Sequence, residues 1–106
     1  MKRVSFKVAK AIKEAGYPQD KLKNPDSYWF YDEETKCDIL RVTYLEVWLW
    51  LWREKRIPIS VHEVEDDFDG EVIGFHVWAM DRIFEENDPE EAIIAAIEYL
   101  VDNGSL

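Results

Sequence analysis

The chain has 106 residues, 47% of them hydrophobic, and a formal charge of −10 at pH 7. That length suits one domain, residues 1–106, and is too short for two independent cores, while five Trp, five Tyr and five Phe supply too much apolar area for a disordered chain. The longest apolar run, Val47 to Trp52, is far short of the ~20 residues of a membrane helix, and the acid excess argues against direct nucleic-acid binding, which draws on basic surface.

The charge is uneven. Residues 1–31 carry seven Lys or Arg against three Asp or Glu, net +4, and the remainder six against twenty, net −14. Met1-Lys2-Arg3 is followed by no apolar stretch of signal-peptide type, so a cytoplasmic location is expected. The single Cys37 fits a reducing compartment and leaves no disulfide or multi-cysteine zinc framework.

In chain order, Ser5 is placed to cap a helix over Phe6 to Ala15 with an apolar stripe of Val8, Ala9, Ile12 and Ala15, stopped by Gly16 and Pro18. Tyr17 to Asp26 reads as a loop. Ser27 to Tyr31 and Lys36 to Val42 read as strands, joined through Asp32-Glu33-Glu34-Thr35. Thr43-Tyr44-Leu45-Glu46 is a capping box opening a tryptophan-rich helix that runs to Arg56, before Pro58. Its apolar arc is about 200° wide against the ~100° of an ordinary surface helix. Leu45, Trp48, Leu49 and Trp52 fall on one flank and Tyr44, Val47 and Leu51 on the next, with Trp50 beyond both.

Ile57 to Val64 and Glu71 to Met80 alternate with period two, and the turn Phe68-Asp69-Gly70 joins them with Gly70 left-handed. Agreement of the two apolar faces sets Val61 opposite Val77, Ile59 opposite Ala79 and His62 opposite His76. A last helix starts at the cap Asp88, with Pro89, Glu90 and Glu91 in its first turn and a stripe of Ile93, Ala96, Ile97, Leu100 and Val101. The expected fold is α+β in the order α-β-β-α-β-β-α, an antiparallel sheet with helices packed on one face.

Catalytic signals are sparse. His62 and His76, with Glu63 or Asp67 near one end, are the candidate metal ligands, but a third protein ligand is not identifiable and no cofactor is expected. Glu65, Asp67 and Asp69 match the first positions of a calcium loop, yet His76 stands where a bidentate Glu is required. No serine elbow or phosphate-cradling glycine loop is present. Binding has two candidate surfaces: Trp50 with Tyr44 and Trp48 as anchors for a protein partner or for self-association, and the acidic stretch from Glu63 to Glu91.

The runs Val4-Ser5-Phe6-Lys7-Val8-Ala9-Lys10, Glu46-Val47-Trp48-Leu49-Trp50-Leu51-Trp52-Arg53-Glu54-Lys55 and Asp88-Pro89-Glu90-Glu91-Ala92 give the chain a pattern that resembles short acidic proteins of gut anaerobes, their phages and prophages. That group brings no assigned activity, cofactor or catalytic residue; the resemblance implies an accessory protein of mobile-element type. The expected function is therefore a non-enzymatic protein-interaction domain. The alternatives are an acidic nucleic-acid mimic that inhibits a host factor and, more remotely, a small metal-dependent enzyme using His62 and His76.

Overall fold

The computed structural model describes residues 2–20 and 28–106. The loop expected from Tyr17 and the strand start expected at Ser27 fall partly or wholly in residues 21–27, outside the described residues. Helix α1, Phe6–Glu14, begins where the Ser5 hydroxyl accepts the Val8 amide at 3.4 Å. It buries Val8, Ala9 and Ile12. Gly16, at φ +106, turns the chain so that the Tyr17 amide bonds the Ile12 carbonyl at 2.9 Å, a conformation that costs other residues strain.

Strands β1, Tyr28–Asp32, and β2, Cys37–Arg41, pair antiparallel with Phe30 opposite Ile39. Asp32, only 3% exposed, shapes the turn between them. Its carboxylate accepts from the Glu34 amide at 3.1 Å and the Thr35 hydroxyl at 3.0 Å, and Lys10 of α1 lies 3.6 Å away. The Phe6 ring meets Phe30 edge-on at 5.6 Å, joining α1 to the hairpin.

Helix α2, Tyr44–Glu54, opens with the expected capping box: the Glu46 amide donates to the Thr43 hydroxyl at 3.2 Å and the Thr43 amide to the Glu46 carboxylate at 2.8 Å. It ends sooner than Arg56, which sits at φ 55 and lets the Ile57 amide reach the Leu51 carbonyl at 3.0 Å.

Three further strands follow, β3 over Ile59–Glu65, β4 over Val72–Ala79 and β5 over Arg82–Glu86, before helix α3, Pro89–Asp102. The register of β3 on β4 is the one the apolar faces require, with Ile59 opposite Ala79, Val61 opposite Val77 and His62 opposite His76. The turn differs from the three-residue form expected. Asp66 and Glu71 close a four-residue loop, the Asp66 amide donating to the Glu71 carbonyl at 2.8 Å. A bulge at Val64/Glu65 absorbs the resulting one-residue shift.

The fold is α+β, in the order α-β-β-α-β-β-β-α. Strand β5 is an addition to the expected order, and the expected single sheet is two, β1-β2 and β3-β4-β5. The turn before β5 is hard to read, because Met80 and not the neighbouring Asp81 occupies its left-handed position, φ 57, that Gly or Asn ordinarily fills. Gln19 helps to separate the sheets: its side-chain oxygen accepts the Leu40 amide at 2.7 Å, taking a β2 donor that a further strand would use.

Helix α3 packs Ala96, Ile97 and Leu100 over the sheet face carrying Val77 and Ala79, and touches α1 and α2 as well. One core cluster results. The molecule is long, 56 × 28 × 23 Å, with a radius of gyration of 15.6 Å where a compact chain of this length has about 13 Å.

Two stability outcomes follow. Leu51, fully buried in α2, should lose about 2–5 kcal/mol on substitution by Ala, whereas the exposed Leu49 should lose no more than about 1 kcal/mol, compared by urea denaturation. Burial alone would raise the Asp32 carboxyl, but the Thr35 hydroxyl, the Glu34 amide and the Lys10 ammonium outweigh it and hold it below the ordinary carboxylate value. A carboxyl depressed in this way contributes stability that is present above its unfolded pKa and lost as the pH falls through the folded one. Asp32→Asn should therefore flatten the acid limb of the stability profile, read as urea midpoints from about pH 7 to about pH 3.

Candidate functional site

The capping box fixes where α2 starts, and its neighbours fix which side it turns inward. Tyr44 is buried, its hydroxyl bonded to Glu98 of α3 at 3.1 Å. Burial first, and the Glu98 carboxylate second, raise its phenol above the ordinary value. Val47 and Leu51 are fully buried. Trp50 is 9% exposed: Tyr17 stands edge-on to it at 5.2 Å and the Lys55 ammonium lies 5.5 Å from its ring centre.

This placement corrects the exposure expected of two anchors. Trp50 and Tyr44 are buried, Trp50 leaving only an edge of its ring at the surface. A helical wheel ranks positions by angle but carries no information on what the chain brings alongside, and here Tyr17 covers an azimuth that a sheet alone would leave open. Trp48, the third anchor, is half-buried and borders the surface.

What α2 leaves outside is its other flank. Leu45 and Leu49 are each 40% exposed and Trp52 is 54% exposed. Beside them the Trp48 indole donates to the Ile59 carbonyl at 2.9 Å, bridging α2 to β3, the outer strand of its sheet. Between helix and strand opens a groove of about 430 Å³ lined by Trp48, Leu49, Trp52, Pro58, Ile59 and Ser60. None of these side chains is charged, in a chain of net charge −10. Across the sheet, Ser60 pairs with Trp78 and Trp78 with Ile83, both of them exposed, so apolar surface continues from the groove over β4 and β5.

The sequence groups Leu45, Leu49 and Trp52 on one flank but points to Trp50 as the exposed anchor. The signal for an exposed flank was there in the width of the apolar arc, because an arc of about 200° cannot be covered by one sheet face. Which end of it stays outside is a tertiary outcome.

The remaining candidates lie elsewhere. His62 and His76 are cross-strand partners on the face opposite α3, and the next position in that row is Glu85 of β5, whose carboxylate is 3.0 Å from His76 Nε2. No group of three or more His, Cys, Asp or Glu among the described residues is arranged to hold a metal ion. At the hairpin tip the Asp66 carboxylate accepts the Phe68 amide at 2.8 Å and Asp69 the Glu71 amide at 3.0 Å, so both shape the turn. The basic N-terminal region is drawn into internal pairs: Lys2 with Glu91, Lys7 with Asp102, and Lys10 with Glu34, at 2.8, 2.8 and 2.9 Å. No helix among the described residues is long and apolar enough to cross a membrane.

Comparison with family models, with curated proteins and with solved structures finds no match. The chemistry of the surface thus rests on its own residues: broad apolar contact around one indole. Trp48→Phe keeps most of the ring while removing the N–H that Ile59 accepts. It should cost about 0.5–1.5 kcal/mol by urea denaturation, with the fold retained by circular dichroism.

Proposed function

We propose that this chain is a non-enzymatic protein-interaction domain whose docking surface is the outer flank of α2 and the groove beside it. The groove between Trp48, Leu49, Trp52, Pro58 and Ile59 carries the reading. Covering a large apolar side chain is worth about 1.5–3 kcal/mol when complete. Leu45, Leu49 and Trp52 are still part-exposed, so each retains a fraction of that gain for a partner. Tryptophan is among the side chains most enriched at binding hot spots. The acidic stretch supports mimicry less well, since two of its carboxylates serve the turn that carries them. A cytoplasmic accessory role of mobile-element type completes the proposal, on the sequence resemblance alone.

A photoreactive phenylalanine analogue at position 49, in the full chain expressed in its native cell, tests the reading. Irradiation should yield a covalent protein adduct from position 49 and none from position 34, an exposed position on the first hairpin. If position 49 gives no more adduct than position 34, the docking surface is not used.

A further inference from the structure

We infer that the occupant of this surface is a second copy of the chain, docked with its α2 antiparallel to the first across a two-fold axis. The inference rests on the docking surface just proposed and names its partner.

The exposed apolar side chains of α2 are Leu45, Leu49 and Trp52, and with the half-buried Trp48 between them they have the i, i+3, i+4, i+7 spacing of a helix seam. In an antiparallel pair centred between positions 48 and 49, Leu45 of one copy meets Trp52 of the other, and Leu49 meets Trp48. Small and large side chains alternate along such a seam. A two-fold axis presents the same surface on both copies, so every contact is made twice and the assembly closes at two.

Charge decides the direction. Glu46 and Arg53 are seven residues apart, hence on one side of α2, bordering the seam next to Leu49. Both are exposed. Because the axis is perpendicular to the plane of the two helices, this border faces its own copy, and reversal of direction brings Glu46 of each chain near Arg53 of the other, about 3 Å out of level along the helix and within reach of these long side chains. Parallel helices would not bring them together; each charge would lie level with its own like. On the other border of the seam is the groove, whose lining has no charged group to desolvate.

Sedimentation of the full chain at about 100 μM, well above a micromolar Kd, should give twice 12.6 kDa. Trp52→Glu should weaken association about a hundredfold. Arg53→Glu, at an exposed position clear of the helix cap, sets Glu against Glu twice and should weaken it about tenfold. Glu46→Lys sets Lys against Arg twice and should weaken association to a similar degree; it also removes the capping-box acceptor of α2, at some cost in stability, so it is compared in chains that circular dichroism shows folded. An equimolar mixture of the Arg53→Glu and Glu46→Lys chains restores both pairs, and should form a heterodimer at least as tight as the wild type.

A wild type of 12.6 kDa at that concentration would overturn the inference. So would a dimer indifferent to Arg53→Glu, or mixed variants that do not associate. The two proposals fail separately. A monomeric chain that still forms adducts at position 49, with a different protein, keeps the interaction domain and loses the self-pairing. A chain with no adduct at that position loses the docking surface itself.

Discussion

The rotation of α2 about its own axis is the constraint on which the rest of this structure depends, and the hydrogen bond from the Trp48 indole to the Ile59 carbonyl pins it on the side next to β3. Two other contacts pin it at different azimuths: the Tyr44 hydroxyl on Glu98 of α3, and the Trp50 ring against Tyr17. Hydrophobic burial is non-directional, so it alone would accept several rotations of a helix with so wide an apolar arc. An indole N–H or a phenol O–H placed away from water needs a partner, and its partner stands in one direction. The polar handles of the aromatic side chains thus select among orientations that burial leaves close in energy.

That selection has a consequence at the edge of the second sheet. Strand β3 is an outer strand, and an outer strand presents unpaired backbone groups that invite further pairing. The Trp48 indole takes the Ile59 carbonyl at the start of β3, much as the Gln19 amide oxygen takes the Leu40 amide on β2. Each sheet is therefore closed at one point by a side chain. The same bond holds α2 alongside the strand, and the space between them is the groove. Cover of the edge and creation of the groove come from one contact.

Much of this was legible in the sequence where a local rule acts alone. The caps at Ser5, Thr43 and Asp88, the stop at Gly16 and the register of β3 on β4 each depend on residues close in the chain or on a strict alternation. Strand β5 was not legible, because the left-handed position of its turn is held by Met80 and not by the neighbouring Asp81, and because Phe84 is its one half-buried aromatic beside Arg82, Glu85 and Glu86. The four-residue loop was hidden by the bulge at Val64/Glu65, which leaves the register of the rest of the hairpin unchanged. For α2 the excess of apolar surface could be read and its direction could not. Burial of Trp50 depends on Tyr17, which is far from it in sequence and reaches it only after Gly16 has turned the chain.

Electrostatics keep the exposed apolar surface apart from the acid-rich end of the chain. The basic excess of residues 1–31 is turned inward upon the chain's own acids, with Lys2, Lys7 and Lys10 paired to α3 and to the first hairpin. Exposed pairs of this kind add about 0–1 kcal/mol each to stability, but they neutralise charge along α3 and the first hairpin, while Glu63, Glu65, Asp66, Asp67, Asp69 and Glu71 gather toward the β3–β4 tip. That tip lies about 20 Å along β3 from the groove, at roughly 3.3 Å per residue. Charges so separated are screened at a physiological Debye length of about 8 Å. A chain of net charge −10 can therefore bring α2 up to another protein, acidic or not, without bringing its own carboxylate cluster within effective range of that contact. The separation along β3 lets a highly charged surface and an uncharged apolar groove coexist in one small domain.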